Sequence, residues 1–310
     1  MSVQLYYLGP RGSFTYQAAQ EFSHQLKLKS KDCVDVELVA VRHERDIFTA
    51  VERGDGYGVI AWENNVEGYV AQNLDKLIDS YNVLGIARLS IDVEFDAFVQ
   101  HNHDELTEVT AHPHGLAQCS DFAKSHHLTQ VPSSSNAAAC EHVKSHQVAL
   151  APHGCGELYG LELFESCVQD YKGAHTDFLL LSQRKENVGR DEDEQESWCK
   201  SYESVITVIP LSTGPGVVAN LLDVFRDNGL NMTSLISRPV KGVNGTYSFI
   251  ITLDSAPHNA VMRSVMNDIS AHGDWLKVLA VYPARDIVSL PVEQWNLPQR
   301  GLNPVLEEKA

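Results

Sequence analysis

Cysteines are few in this sequence, and their spacing fits neither a metal site nor a disulfide framework. No two of them form a CxxC pair, which zinc sites commonly use, and disulfide frameworks are typical of short secreted chains. We therefore expect reduced thiols packed in the core, and no metal. The six are Cys33, Cys119, Cys140, Cys155, Cys167 and Cys199.

Positive charge and long apolar runs are also scarce. The chain has 24 lysines and arginines against 41 aspartates and glutamates, a formal net charge of -17. A nucleic-acid-binding protein needs a basic face, and an anionic membrane would repel this surface. No apolar run approaches the roughly 20 residues that span a bilayer, and the N-terminus lacks a signal-peptide pattern. We expect a cytoplasmic protein without nucleic-acid or membrane partners.

The common nucleotide and nucleophile motifs are missing as well. No GxGxxG follows a predicted strand, and neither GxxxxGK[ST] nor GxSxG occurs. The sequence therefore argues against dinucleotide, P-loop and nucleophile-elbow chemistry, and we expect no cofactor.

Hydrophobic patterning divides the chain into two parts. Residues 1–183 alternate strand-like and helix-like segments, which predicts an α/β domain with βαβ units on a mostly parallel sheet. A charged linker follows at 184–203. Residues 204–283 have the βαββαβ order of a ferredoxin-like domain, and 284–310, with three prolines, is predicted to be a loose tail.

Polar loops follow several predicted strands of the first part, at the edge of the sheet where ligands usually bind. Their side chains are mostly neutral hydrogen-bonding groups, and helix N-termini add further donors. Such a set suits a small molecule that bears carboxylates, although helix capping alone would explain any single loop. The loops are 9–15, 62–70, 112–118, 132–137 and 173–178.

Six stretches resemble, in the same order, the motifs of the prephenate dehydratase family. They are Gly9-Pro-Arg-Gly-Ser-Phe-Thr15, Glu63-Asn-Asn-Val-Glu-Gly68, His112-Pro113 with Ala117-Gln-Cys119, Ser133-Ser-Ser-Asn-Ala-Ala138, Glu157-Leu-Tyr-Gly-Leu161 and Thr176-Asp-Phe178. Residues 205–282 resemble the family's regulatory ACT domain, through Gly216-Val-Val218 and Ser237-Arg-Pro239. The resemblance covers residues 5–283.

The resemblance implies a two-lobed catalytic domain like a type II periplasmic binding protein, with substrate in the cleft between the lobes. Strand 83–99 would cross to the second lobe, and strand 178–182 would return. The implied reaction converts prephenate to phenylpyruvate with loss of carbon dioxide and water. Phenylalanine would regulate it, and the chain would form a homodimer or homotetramer through its ACT domains.

The motif matches also imply residue roles. Thr176 would be the catalytic hydrogen-bond donor to the leaving hydroxyl. Substrate-binding residues would be Arg11, Gly12, Ser13, Glu63, Asn64, Gln118, Ser133, Ser134 and Phe178. Effector-binding residues would be Gly216, Val217, Val218, Leu230, Asn231, Ser237 and Arg238.

Charged positions depart from the family pattern at two places in the catalytic part. Asp177 stands where the family usually has an arginine, and Arg11 stands where it often has a glutamate. We expect the two charges to be exchanged, with Arg11 and Asp177 paired across the floor of the cleft. In the ACT-like part, Ile236 replaces the glutamate of the family motif.

Two other functions remain open on the sequence. A non-aromatising prephenate decarboxylase would keep the hydroxyl, and its branch lacks the motif threonine that is present here. A catalytically inactive amino-acid sensor would bind phenylalanine without turnover. A periplasmic solute receptor would share the two-lobed architecture, but the missing signal peptide argues against it.

Overall fold

The chain forms two lobes and a C-terminal unit. The computed structural model describes residues 2–29, 35–184, 201–212 and 214–284. Most of the predicted linker at 184–203 and of the predicted tail at 284–310 lies outside the described residues, as do Cys33 and Cys199.

The first lobe is a mixed sheet with helices on both faces. Its elements are β1 (Ser2–Leu8), α1 (Phe14–Lys29), β2 (Asp35–Val41), α2 (Glu44–Arg53), β3 (Gly56–Asn64), β4 (Gly68–Tyr69), α3 (Ala71–Asp79), β5 (Val83–Asp92) and β11 (His175–Gln183). The strand order is β5-β11-β3-β1-β2, with β4 paired to β3. Strand β1 is parallel to β2 and β3, whereas β11 is antiparallel to both β3 and β5.

The second lobe has a separate five-stranded sheet in the order β10-β6-β9-β7-β8. Its elements are β6 (Asp96–Val99), β7 (Glu108–Ala111), α4 (Pro113–Gln118), α5 (Ser120–Ser125), β8 (Thr129–Pro132), α6 (Asn136–Glu141), β9 (Gln147–Ala151), α7 (Cys155–Tyr159) and β10 (Glu162–Glu165).

Two connections join the lobes, and the crossing predicted from the sequence is confirmed. The predicted strand 83–99 is divided into β5 and β6, which belong to different sheets. Strand β11 brings the chain back into the first sheet between β5 and β3. A cleft therefore opens at the two crossings.

Residues 113–125 form two short helices, α4 and α5, instead of one continuous helix. Asp170 explains the break: its carboxylate accepts hydrogen bonds from the backbone N–H groups of Ser120 and Asp121, at 2.9 and 3.1 Å. These are donors that the start of a helix leaves free. A new helix, α5, therefore begins at Ser120.

The C-terminal unit, residues 202–283, has the predicted βαββαβ order. It contains β12 (Tyr202–Ile209), α8 (Val217–Asp227), β13 (Met232–Pro239), β14 (Tyr247–Leu253), α9 (Ala260–Ala271) and β15 (Trp275–Pro283). Its antiparallel sheet has the order β13-β14-β12-β15, which is the ferredoxin-like arrangement.

The C-terminal unit shares both a sheet and a core with the first lobe. Strand β15 pairs in parallel with β5, where Ala280 lies opposite Gly85. Gly85 permits this approach, because an added Cβ would lie 2.7 Å from Ala280 Cβ. Leu279 and Tyr282 are buried in one hydrophobic cluster with Leu77 and other side chains of the first lobe.

Within the described residues, no helix is both long and apolar enough to cross a membrane. The same part of the chain has no group of three or more histidine, cysteine, aspartate or glutamate side chains that could hold a metal.

Candidate active site

A cavity of about 490 Å³ lies between the two lobes at the crossings. This volume falls in the range of small-molecule sites. It is lined by Phe14, Thr15, Ala61, Asn64, Glu67, Gly68, Tyr69, Val70, Ala71, Gln72, Val93, Phe95, His114, Gly115, Gln118, Asn136, Thr176 and Phe178. Four predicted site residues meet here: Thr176, Asn64, Gln118 and Phe178.

Thr176 and Asn64 lie opposite each other on β11 and β3. The Asn64 side-chain amide donates to Thr176 Oγ1 over 3.0 Å. Its orientation is fixed, because Asn64 Oδ1 accepts from the backbone N–H groups of Val66 and Glu67 at 2.9 and 3.0 Å. A hydroxyl accepts and donates at once. Thr176 Oγ1 is thus held as an acceptor, and its own hydrogen can be donated into the cavity.

Two helices begin at the wall of the cavity. Phe14 and Thr15 open α1, and Ala71 and Gln72 open α3. Helix N-termini present backbone N–H groups and the positive end of the helix dipole, which together favour anions. A carboxylate can therefore be held here without a cationic side chain.

A β-bulge explains which residues of β3 face the cavity. Thr176 pairs with Asn64 and Asp177 with Glu63, but Phe178 pairs with Ala61, so that Trp62 is skipped. Ala61 and Asn64 consequently both face the cavity. Bulges commonly re-aim side chains in this way near functional sites.

Glu63, which the sequence predicted to bind substrate, lies on the other side of the sheet. It is beside Arg88 and Asp177, and it is absent from the cavity wall. Burial raises the pKa of the Glu63 carboxyl; Arg88 opposes this effect, and Asp177 adds to it. The prediction was wrong because Glu63 and Asn64 are neighbours on β3, so their side chains point to opposite faces of the sheet.

The predicted pairing of Arg11 with Asp177 is also wrong. The Asp177 carboxylate is buried, at 3% exposure, and Arg88 holds it with an Nη2–Oδ2 distance of 2.6 Å. Asp177 alternates along β11 with Thr176 and Phe178, so it points away from the cavity that they line. Arg11 is exposed, and its guanidinium lies over the ring of Tyr16 at 5.7 Å. The negative charge next to Thr176 therefore does not face an anionic substrate.

The other predicted substrate residues are placed around the cavity without lining it. Ser13 Oγ caps the start of α1 by accepting from Tyr16 N over 3.2 Å. Gly12 lines a separate cavity, and its carbonyl accepts from the Cys155 thiol. Ser133 donates its backbone N–H to Ala111 O. Ser133 and Ser134 are both absent from the cavity wall.

Sequence reasoning missed several wall residues. Glu67 reaches across the cleft to α4, where it lies 3.1 Å from His114 Nδ1 and accepts from Gln118 Nε2 over 3.2 Å. Asn136 also lines the wall, and its Oδ1 accepts from the backbone of His112. Glu67 and Asn136 are polar residues inside the motif stretches, and on that basis the sequence could have predicted them as part of the site.

The predicted effector residues are divided among several places. Val217 and Val218 line a cavity of about 130 Å³ in the C-terminal unit, and Gly216 caps α8 beside it with φ at 89°. Ser237 is exposed on β13 opposite Phe249, which lines the same cavity.

Three other predicted effector residues have different partners. Leu230 packs in the hydrophobic core of the C-terminal unit. Asn231 donates to Asp254 over 2.9 Å. Arg238 is directed at the first lobe, where it pairs with Asp75 of α3 at 2.9 Å.

One family recurs in the comparisons with known proteins. Residues 5–186 match the family model described as prephenate dehydratase. A bifunctional chorismate mutase/prephenate dehydratase of Stutzerimonas stutzeri is 28% identical over 284 residues, covering 89% of this chain and 72% of that protein. A prephenate dehydratase of Methanocaldococcus jannaschii is 24% identical, covering 92% of this chain and all of that protein.

A solved structure also resembles the chain closely in fold. The prephenate dehydratase of Arthrobacter aurescens, determined in complex with L-Phe, superposes with a TM-score of 0.74 at 21% identity. The match covers 95% of this chain and 94% of that one.

Proposed function

The chain belongs to the prephenate dehydratase family, and from that premise we propose that it converts prephenate to phenylpyruvate in the cavity between its lobes. The observation that carries the proposal is the Thr176 hydroxyl, oriented by Asn64 at the wall of that cavity. The overall change is a carbon–oxygen lyase reaction that releases carbon dioxide and water.

The reaction draws its driving force from the substrate. The bond from the ring to its carboxylate breaks, the electron pair enters the ring, and the C–O bond to the hydroxyl breaks as the ring becomes aromatic. The protein has to hold the dianion in place and assist the departure of hydroxide. We assign that assistance to the Thr176 hydroxyl, which donates a hydrogen bond to the leaving oxygen; a proton from solvent then completes the water molecule.

The two ends of the substrate need different surroundings. A carboxylate that stays on the product can be held by the N-termini of α1 and α3. The carboxylate that leaves loses its charge, so strong contacts to it would stabilise the ground state more than the transition state. The aromatic rings of Phe14, Phe95 and Phe178 provide a weakly solvating wall for that group.

We further propose that the C-terminal unit is an ACT domain that binds phenylalanine. The cavity lined by Val217 and Val218 supports this assignment, together with the βαββαβ order. Pairing of two such units would give a homodimer or a homotetramer, and bound phenylalanine would control turnover through different affinities for two arrangements.

Incubation of the purified chain with prephenate tests the proposal. We expect phenylpyruvate, seen by the absorbance of its enol in base, and loss of this product in Thr176→Ala. A product that keeps a dihydro ring would identify a non-aromatising decarboxylase instead. Binding of phenylalanine without any turnover of prephenate would identify an inactive sensor.

A further inference from the structure

Arg88 is the centre of a buried polar group on the side of the sheet that faces away from the cavity. Its Nε and Nη2 atoms donate to Asp177 Oδ2 over 3.0 and 2.6 Å. Ser90, directly opposite Asp177 on β5, donates to the other carboxylate oxygen. The Asp177 carboxylate is therefore held on both of its oxygens.

Arg88 also contacts the C-terminal unit. Its Nη1 atom lies 3.3 Å from Glu203 Oε2 and 3.3 Å from the Tyr282 hydroxyl. Glu203 and Tyr282 are direct cross-strand partners on β12 and β15. Burial works against the charge of Arg88, but Tyr282 and Asp177 outweigh it, so the pKa of the guanidinium is raised. The Arg88 guanidinium thus contacts both the first lobe and the C-terminal unit.

Asp177 follows Thr176 directly along β11. The backbone of this strand is fixed on one side by the Asp177 carboxylate and opens on the other side to the cavity through Thr176 and Phe178. A shift of Arg88 would therefore act on Asp177 and, through the backbone of β11, on the Thr176 hydroxyl. An arginine makes several hydrogen bonds in fixed directions, which suits it to transmit small displacements.

We propose that Arg88 is a positioning residue, through which the C-terminal unit sets the orientation of Thr176. The inference rests on the proposed function, since it assigns Arg88 a role in the same reaction. It adds a route by which the state of the C-terminal unit reaches the catalytic hydroxyl, through Glu203 and Tyr282 to Arg88 and then to Asp177.

A second contact runs alongside this route. Tyr69 lines the cavity, and its hydroxyl lies 3.2 Å from Ser234 Oγ on β13. Strand β13 thus touches a wall residue of the cavity directly. The C-terminal unit therefore contacts the cavity wall directly through Tyr69, in addition to its contact with the Arg88 group.

The test uses residues at the outer end of the route, because loss of Arg88 itself would leave Asp177 buried without its cation and unfold the chain. The variants are Tyr282→Phe and Glu203→Gln, with Arg88→Lys as a conservative third. Lys241→Gln is the matched control, since Lys241 joins the same two units through Asp79 at 2.8 Å without contacting the Arg88 group. Melting temperatures are measured for all variants first, so that the kinetic assays can be run at a temperature at which every variant is folded.

For each variant, kcat and KM for prephenate are measured with and without phenylalanine. We expect kcat, or its response to phenylalanine, to change by about three- to thirtyfold in Tyr282→Phe and Glu203→Gln. KM should stay within about twofold, because the groups that bind the substrate are untouched. Arg88→Lys should be affected at least as strongly, and Lys241→Gln should match the unaltered chain.

The outcomes separate the two proposals. If the unaltered chain turns over prephenate and the three variants match Lys241→Gln in kcat and in phenylalanine response, the inference is overturned and the proposed function stands. If KM changes while kcat does not, Arg88 acts on substrate binding, and the positioning role is overturned. If the unaltered chain does not turn over prephenate, the proposed function fails and the inference fails with it.

Discussion

Asn64 donates its side-chain amide to Thr176 Oγ1 from the directly opposite position on the neighbouring strand. The direction of this hydrogen bond has a chemical consequence. It occupies a lone pair of the Thr176 oxygen and leaves the hydroxyl hydrogen to be donated to a bound molecule. Threonine is a poor free acid, so this orientation matters more than acidity.

Removal of the Thr176 hydroxyl should abolish most of the activity. Thr176→Val keeps the shape and the β-branch but has no donor, and we expect kcat to fall by at least about 10²-fold, as for the loss of other donors to developing negative charge. Thr176→Ser keeps the donor and should retain much of kcat. Equal activity in Thr176→Val and the unaltered chain would contradict the proposed role.

Reversal of the Asn64–Thr176 hydrogen bond tests its direction. In Asn64→Asp a carboxylate oxygen replaces the amide, so the Thr176 hydroxyl would donate to it instead of to the substrate. We expect kcat to fall by about 10- to 100-fold, the scale of a misdirected group.

The control for this variant is Asn65→Asp. It removes a donor to Gly173 O at 2.9 Å, in the loop before Thr176, without touching the hydroxyl. Similar losses in both aspartate variants would indicate a general loosening of the loop, not a misdirected proton.

Glu67 of the first lobe contacts His114 of the second lobe across the cleft. The two side chains are 42% and 69% exposed, and an ion pair so exposed contributes only about 0–1 kcal/mol. Glu67→Gln should therefore raise KM by at most about fivefold with little change in kcat, and high salt should reduce the difference. His146→Gln, which removes a comparable contact to Glu108 away from the cleft, should leave KM unchanged.

Stability should depend on pH through Glu63. Burial raises the pKa of this carboxyl above its ordinary value of 4.5, so the folded state binds more protons than the unfolded state between 4.5 and the raised value. The free energy of unfolding therefore decreases as pH rises through that window. Glu63→Gln should remove this decrease. Compared with the unaltered chain, the variant should therefore gain more stability at pH 8 than at pH 5.

Denaturant unfolding at both pH values measures the effect of Glu63→Gln. Glu105→Gln changes an exposed carboxylate and serves as the control. A variant of Glu63 whose stability follows the same pH curve as the control would show that burial does not perturb this group.

Thiol reactivity should distinguish Cys167 from Cys119. Burial, with the charge of Asp170, raises the pKa of Cys119 to about 12, whereas Cys167 is exposed. Because the thiolate is the reactive form, iodoacetamide at pH 8 should label Cys167 within the native protein and leave Cys119 unmodified. Peptide mass spectrometry before and after denaturation provides the measurement.

Local pattern was sufficient for the features that depend on neighbouring residues. The strand at 83–99 and the polar strand ends could be predicted from alternation along the chain, whereas the crossing between lobes and the place of Thr176 in the cavity were implied by the resemblance of the motifs. The presence of Ala61 in the cavity wall could not be predicted, because it depends on a bulge whose register is fixed only by the pairing of β3 with β11.

The partner of Asp177 was beyond sequence reasoning for a different reason. Arg88 lies in an ordinary strand without a motif, 89 residues away from Asp177, and its other partners are 115 and 194 residues away from it. The contact with Asp177 depends on the pairing of β5 with β11, and the other two arise from the docking of the C-terminal unit on the first lobe; no periodicity in the sequence encodes either. The sequence predicted Arg11 as the partner because it is the arginine of the first motif stretch. In the structure, Arg11 lies over the ring of Tyr16 instead.

A chain that stopped before β12 would leave β5 as the outermost strand of its sheet, and Leu279, Ala280 and Tyr282 would be missing from the cluster that buries Val83. An uncovered edge of this kind offers its free N–H and C=O groups to other chains and promotes aggregation. Strand β15, which pairs with β5 at Ala280 and Gly85, covers this edge, so the C-terminal unit also keeps the first lobe from recruiting copies of itself.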